Sequence, residues 1–101
     1  MDFQTTRVGS HDVVVATGEI DLASAPDLQG ALEGFDGQEV ILDMRGVEFM
    51  DSAGLKVLIN QRARLGDSGG SLKLVVGDGN VIRLLELTGV RDVFEISEAI
   101  E

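Results

Sequence analysis

The chain of 101 residues contains no cysteine and only one histidine. Without cysteine it forms neither disulfides nor thiolate metal sites, and it suits a reducing compartment. His11 lies in Gly9-Ser10-His11-Asp12, a stretch typical of a solvent-exposed hairpin turn. Nothing in the sequence pairs with this histidine for metal binding or catalysis. We therefore expect no metal site.

Long apolar runs and basic residues are also scarce. The longest fully apolar runs, such as Val13-Val14-Val15-Ala16, are too short to cross a membrane, and the start does not resemble a secretory signal. The net charge is −10, from 18 acidic and 8 basic residues. This charge opposes binding to nucleic acid or to anionic membranes, and favours either solubility alone or a basic protein partner. We expect a cytoplasmic monomer with no nucleic-acid or membrane partner.

Strand-like and helix-like segments alternate along the sequence. The hydrophobic patterns predict strands over residues 3–8, 12–19, 40–44, 72–76 and 93–96. Helices are predicted from Ser24 to about Gly34, over residues 55–65, and from Asn80, with Ser24 and Asn80 as candidate N-caps. A short last helix is predicted from Ser97 to Glu101. This β-β-α-β-α-β-α-β-α order predicts one α/β domain over residues 1–101, with helices packed on a mixed, mostly parallel sheet that opens with an N-terminal β-hairpin.

The most informative segment is Asp51-Ser52-Ala53-Gly54, which joins a predicted strand to a predicted helix. Ser52 should lie at or beside the helix N-terminus, where unpaired N–H groups and the helix dipole would stabilise a phosphate. Asp and Ser are also the favoured N-cap residues, so the pair could simply cap the helix. If Asp51 accepts from the N–H of Gly54, the Ser52 hydroxyl is not needed for capping. The small Ala53 and Gly54 leave room for a partner's active site, or for close packing of the helix on its sheet.

Asp21-Leu22 leaves the second predicted strand just before a helix. If that strand runs parallel to the one before Asp51, both loops lie on the same rim of the sheet, where binding sites usually form. We predict one patch containing Asp21, Leu22, Asp51, Ser52 and Lys56. The alternative is that Asp21 only caps or solubilises.

Enzymatic interpretations find little support in the residues. Asp43 and Asp51 could form a carboxylate pair, but the sequence supplies no histidine, third ligand or cofactor motif to accompany them. The loop Gly77-Asp78-Gly79-Asn80 precedes a helix, but it lacks the lysine of a P-loop and the third glycine of a dinucleotide fingerprint. Arg62 fits a solvated edge of the second helix. We expect no catalytic residues and no cofactor; a small nucleotide-binding or phosphate-handling protein stays open as an alternative.

Three blocks of sequence resemble the STAS domain of bacterial anti-sigma factor antagonists. They are residues 18–26 (GEIDLASAP), residues 50–55 (MDSAGL), and residues 84–90 (LLELTGV) followed by 93–96 (VFEI). The resemblance extends from about Phe3 to about Ile96. It implies that the serine at position 52 is phosphorylated by a partner kinase that is also the anti-sigma factor.

The resemblance implies a non-enzymatic regulator that switches partners. Unphosphorylated, the chain would bind the anti-sigma factor serine kinase and release the sigma factor; phosphorylation of Ser52 would end this binding, and a serine phosphatase would restore it. The partner-binding residues would be Asp21, Leu22, Asp51, Ser52, Ala53, Gly54 and Lys56. STAS domains also serve as accessory subunits of lipid transporters and as components of stressosome-like scaffolds, and this role remains the alternative within the family.

Overall fold

The computed structural model describes residues 1–99, in which strands and helices alternate as predicted. The elements are β1 (Asp2–Val8), β2 (His11–Ile20), α1 (Ala25–Glu33), β3 (Glu39–Met50), α2 (Ser52–Asp67), β4 (Ser71–Val75), α3 (Asn80–Leu87), a 3₁₀ turn (Arg91–Val93) and β5 (Glu95–Ser97). Among these residues, no helix has both the length and the hydropathy to cross a membrane.

The strands form one sheet in the order β1-β2-β3-β4-β5. β1 pairs antiparallel with β2 as an N-terminal hairpin, and the remaining neighbours pair in parallel. The predicted mixed α/β sheet is therefore confirmed. Because β2, β3 and β4 run in the same direction, the loops after their carboxyl ends emerge at the same edge of the sheet.

The two faces of the sheet are covered differently. One face carries the main core, in which strand residues such as Val14, Leu42 and Leu74 pack with apolar residues from all three helices. The other face holds a small cluster of Val13, Ile41 and Val75, with Val15 against it, built from strand residues alone. The helices that lead into and out of the loops therefore lie on one side of the sheet.

β3 is much longer than the predicted strand of residues 40–44. It continues to Met50, beyond the end of β4, and its pairing with β2 shifts register around Val15–Thr17 and again at Gly18. At Gly46 the two strands lie close together, since a Cβ atom there would lie 2.7 Å from Cγ2 of Thr17. Such irregularities increase twist and break the alternation of apolar residues, which is why the pattern predicted too short a strand.

Two predicted N-caps have other roles. Ser24 lies at the N-cap position of α1 but makes no side-chain capping bond, and α3 begins at Asn80 without one. Oδ1 of Asn80 instead accepts a hydrogen bond from the backbone N–H of Met50 at 2.9 Å, so it satisfies a donor on the part of β3 that extends past β4.

The helix predicted from Ser97 to Glu101 is wrong at its start, because Ser97 belongs to β5 and the next two residues are not helical. The last two residues of that prediction, 100 and 101, lie outside the described residues.

The second helix is held to the first by Arg64. Its guanidinium donates to the carbonyl oxygen of Leu32 at 2.8 Å and to Oε1 of Gln61 at 2.8 Å, and it pairs with Asp36 at 2.6 Å. These bonds join α2 to the carboxyl end of α1, where a cation is also favoured by the helix dipole. Arg64 therefore anchors the carboxyl-terminal half of α2 to the end of α1.

Candidate functional site

The carboxyl ends of β2 and β3 lie side by side. Ile20 pairs with Met50, and the backbone N–H of Asp51 donates to the carbonyl oxygen of Ile20 at 3.1 Å. The loop that begins at Asp21 and the connection at Asp51 therefore start from adjacent points. The structure thus brings Asp21-Leu22 and Asp51-Ser52 together on one rim of the sheet.

Asp51 is the N-cap of α2. Its backbone is extended, with φ −104° and ψ −172°, and its Oδ1 atom accepts from the backbone N–H of Ala53 at 2.9 Å. The acceptor role was predicted, but the donor is Ala53 and not Gly54. One carboxylate therefore satisfies a first-turn N–H of the helix and adds a negative charge at the positive end of its dipole.

Ser52 is the first residue of α2 and is exposed. Among the described residues its hydroxyl makes no side-chain hydrogen bond, because the capping role belongs to Asp51. Within residues 1–99, no histidine or carboxylate that could act as a general base is hydrogen-bonded to this hydroxyl either. A serine without such a base is a weak nucleophile. Ser52 therefore presents an exposed hydroxyl at the start of α2.

Gly54 serves close packing of α2 on the sheet. It is buried, and a Cβ atom at this position would lie 2.6 Å from Cγ2 of Ile20 and 2.6 Å from Cγ of Met50. This contact brings the first turn of α2 against the ends of β2 and β3. Of the two explanations for the small residues after Ser52, the structure gives direct support to packing at position 54; Ala53 is half-buried at the rim.

The loop from β2 to α1 is organised by Asp21. Oδ1 of Asp21 accepts from the backbone N–H groups of Ala23 and Ser24, both at 3.0 Å. The Ser24 hydroxyl in turn accepts from the N–H of Asp21 at 2.9 Å, and its one proton is within donor reach of both the carbonyl oxygen of Glu19 at 3.0 Å and Oδ1 of Asp21 at 3.1 Å. The hydrogen bonds from the backbone and side chain of Ser24 lower the pKa of the Asp21 carboxyl below its ordinary value of 3.8. Asp21 is thus a loop-ordering carboxylate that also remains exposed at the rim.

Large apolar side chains are exposed around this rim. Leu22 is 79% exposed on the loop that Asp21 orders, and Phe49 is 41% exposed two residues before Asp51. Ile59, on the second turn after Ser52, is 39% exposed. Exposed aromatic and aliphatic side chains beside a polar centre are typical of protein interfaces. Sequence reasoning missed Phe49, because an apolar residue at the end of a strand carries no signal that it points to solvent.

The charges at the rim are mostly negative. Asp21 and Asp51 lie on the adjacent loops, and Asp78 lies in the loop after β4, whose carboxyl end faces the same edge. Lys56 is the one basic residue in the first two turns of α2, one turn after Ser52, and it is exposed. Such a surface complements a partner with an excess of basic groups.

The carboxylate Asp43 is engaged elsewhere. It is buried, and its two oxygens accept from Nε of Arg45 at 3.0 Å and from a terminal guanidinium nitrogen at 2.8 Å. These hydrogen bonds from Arg45 hold the pKa of Asp43 below its ordinary value. Since both oxygens are occupied, Asp43 is an ion-pair residue of β3 and does not form the considered carboxylate pair with Asp51.

The remaining candidates do not assemble a chemical centre. The side chain of Asn80 in the glycine-rich loop accepts from Met50, and Gly79 adopts φ +140°, so this loop is a tight connection.

Arg62 is exposed beside an open groove of about 680 Å³ between α2 and the start of β5. His11 begins β2, half-buried, where a turn residue was expected, with Nδ1 3.4 Å from Glu39. Within residues 1–99, no three His, Cys, Asp or Glu side chains gather as a metal site would require.

Comparison with known proteins identifies the family. The family model described as the STAS domain matches residues 2–101. The anti-sigma-B factor antagonist of Bacillus subtilis (strain 168) is 38% identical over 82 residues, which cover 79% of this chain and 75% of the relative. The antagonist of the same name from Listeria monocytogenes is 38% identical over 93 residues, covering 89% of this chain and 82% of the relative.

Solved structures agree with the sequence comparison. The crystal structure of an anti-sigma factor antagonist from Mycobacterium paratuberculosis superposes with a TM-score of 0.87 at 27% identity. The alignment covers 98% of this chain and 86% of that one. The anti-sigma factor antagonists of this family are regulators and not enzymes. The chain belongs to the STAS domain family, among the anti-sigma factor antagonists.

Proposed function

We propose that this protein is an anti-sigma factor antagonist controlled by phosphorylation of Ser52. In its unphosphorylated form it binds an anti-sigma factor that is also a serine kinase, and the sigma factor is released. The kinase then phosphorylates Ser52 and the complex separates, until a serine phosphatase removes the phosphate. The chain acts as a single STAS domain over residues 1–101 and as a monomer, in the cytoplasm where sigma factors work.

The observation that carries this proposal is the state of the Ser52 hydroxyl. It is exposed and takes no part in capping, since Asp51 accepts from Ala53 in that role. A serine that stabilised the helix could not be modified without loss of that bond. Ser52 is available for modification at little structural cost, and a phosphate attached to it meets the positive end of α2.

The rim around Ser52 supplies the features of a docking surface. Leu22, on the loop after β2, and Phe49, two residues before Asp51, offer exposed apolar anchors, and the carboxylates of the same loops favour a basic partner. The backbone beneath is held by Asp21 on one loop and by Asp51 on the other. A surface that is ordered before binding loses less conformational entropy when the complex forms.

Phosphorylation changes this surface far more than it changes the fold. The phosphate carries about −1.5 to −2 charges and adds them beside Asp51 and Asp21. Burying that dianion at an interface without a dedicated arginine costs several kcal/mol, on the order of what a buried unpaired charge costs in proteins. Binding is therefore abolished by a local change of charge and volume, and no rearrangement of the sheet or helices is required.

The test is phosphoryl transfer from radiolabelled ATP by the serine kinase anti-sigma factor of the same cell. Label should enter the wild-type chain and the Ser10→Ala variant, whose exposed hairpin serine is the matched control. Ser52→Ala should take up no label and should stay bound to the kinase in the presence of ATP. Equal labelling of Ser52→Ala would place the phosphorylation site elsewhere and refute the proposal.

A further inference from the structure

Lys56 lies one helical turn after Ser52 on the exposed side of α2. Residues four apart on a helix have Cβ atoms about 5–6 Å from each other, so their side chains can meet. An anionic residue placed four positions before a lysine is the more favourable orientation for such a pair. The helix thus sets a flexible ammonium group within reach of any negative charge attached to Ser52.

The lysine is not committed to another partner. Within residues 1–99, Lys56 forms no ion pair, whereas Arg7, Arg45, Arg64 and Arg91 each pair with a carboxylate. The Lys56 side chain also makes no hydrogen bond within residues 1–99. Asp51, although close in sequence, directs Oδ1 to the N–H of Ala53. The ammonium group is therefore available both to a bound protein and to a new anion on its own helix.

We propose that Lys56 is the intramolecular counter-ion of phosphorylated Ser52, and that phosphorylation withdraws it from the docking surface. This inference rests on the proposed modification of Ser52. In the unmodified protein the Lys56 ammonium contacts an acidic group of the kinase. Once Ser52 carries a phosphate, the ammonium turns to it and forms a charge-assisted hydrogen bond. One modification then has two effects on binding: it adds a dianion and removes a cation.

The charges around the phosphate determine in which direction its second pKa shifts. Asp51 precedes Ser52, and Asp21 faces the rim from the loop after β2, with Asp78 on the loop after β4 at the same edge. These carboxylates oppose the dianionic form and raise the second pKa of the phosphate. Lys56, the one basic residue in the first two turns of α2, favours the dianion and lowers that pKa. Removal of the lysine charge should therefore make the phosphate easier to protonate.

The experiment uses the full chain with phosphoserine installed at position 52 during translation, so that no kinase is needed. The second pKa of the phosphate is measured by ³¹P NMR titration at low salt in the parent protein, in Lys56→Gln and in Arg62→Gln. Arg62 is the matched control, an exposed cation on the same helix but on a different face. We expect the pKa to rise by about 0.2–0.4 in Lys56→Gln, the size of an i, i+4 ion pair on a helix, and by less than about 0.1 in Arg62→Gln. The difference should diminish at about 1 M salt.

An unchanged titration in Lys56→Gln, or an equal rise in Arg62→Gln, would overturn the proposal. Both variants are first compared by denaturant unfolding, so that a folding defect is recognised separately. In the unphosphorylated state, Lys56→Gln should bind the kinase several-fold more weakly than Arg62→Gln; equal affinities would refute the docking half of the proposal. If the kinase labels a residue other than Ser52, the proposed function fails, while the titration still reports on the Ser52–Lys56 pair.

Discussion

The backbone N–H of Met50 donates to Oδ1 of Asn80 across 2.9 Å, and so joins the end of β3 to the start of α3. The bond satisfies a strand amide that β4 is too short to pair. It also connects the loop after β4 to the residue that precedes the N-cap of α2. The rim around Ser52 is therefore supported from three consecutive loops.

Asn80→Ala should destabilise the fold by roughly 1–3 kcal/mol, because the N–H of Met50 loses its acceptor in a partly buried position. Denaturant unfolding measures the loss, and hydrogen exchange at Met50 should accelerate selectively. Asn60→Ala, at an exposed position of α2, is the control and should have little effect. Equal stabilities of the two variants would contradict the role given to Asn80.

Asp51→Ala and Ser52→Ala should differ in stability although they are adjacent. Asp51→Ala removes the cap and should lower the free energy of unfolding by about 1 kcal/mol. Ser52→Ala should lower it by less than about 0.5 kcal/mol, because the Ser52 hydroxyl makes no hydrogen bond within the described chain. Thermal unfolding of both variants compares them directly. A larger loss in Ser52→Ala would mean that the serine caps the helix after all.

Gly54→Ala and Gly66→Ala should change stability in opposite directions. Both glycines lie in α2, where alanine is intrinsically favoured by about 1 kcal/mol. At position 54 the new Cβ would meet Ile20 and Met50 at 2.6 Å, and the overpacking, which typically costs about 1–3 kcal/mol, should exceed that gain. At position 66 nothing lies within 4 Å of the added atom. A stable Gly54→Ala variant with unchanged kinase binding would show that α2 can move away from the sheet.

The Asp43–Arg45 pair should appear in the pH dependence of stability. The pKa of Asp43 is lower in the folded protein than its ordinary value of 3.8, so its contribution is complete above that pH and is lost as the pH falls towards the folded pKa. Arg45→Gln should therefore lower the free energy of unfolding at pH 7, and this loss should become smaller as the pH falls below 3.8. Arg83→Gln, an exposed cation of α3 without an ion pair in residues 1–99, is the control. A loss independent of pH would contradict the pair's ionic character.

Phosphorylated Ser52 should leave the fold nearly as stable as before. Repulsion from a chain of net charge −10 opposes the phosphate, while the helix dipole favours it by roughly 0.3–1 kcal/mol. Unfolding and kinase binding should be measured on the same phosphorylated sample. A large fall in melting temperature, or undiminished affinity, would argue against a switch confined to the surface.

The sequence was sufficient to predict the alternation of strands and helices, the parallel sheet and the place of Ser52 at the start of α2. Each of these depends on local patterns: the apolar periods on either side of Asp51, and the preference of that residue for an N-cap. Its failures involve contacts between distant residues. Asn80 was predicted to cap its own helix, but it bonds to a strand 30 residues earlier in the chain. Likewise, the close approach of Gly46 to Thr17 joins two strands, and a pattern within a single segment cannot predict it.

The helical backbone of Ser52 has a consequence for quality control in the cell. A serine kinase that acts on a disordered segment can modify a chain before it has folded, whereas the capped first turn of α2, which carries the proposed acceptor Ser52, forms only in the native structure. A kinase that recognises this rim would ignore nascent and damaged copies. Only folded molecules of the antagonist would then become phosphorylated. Misfolded copies would neither consume ATP nor change the fraction of antagonist that is phosphorylated.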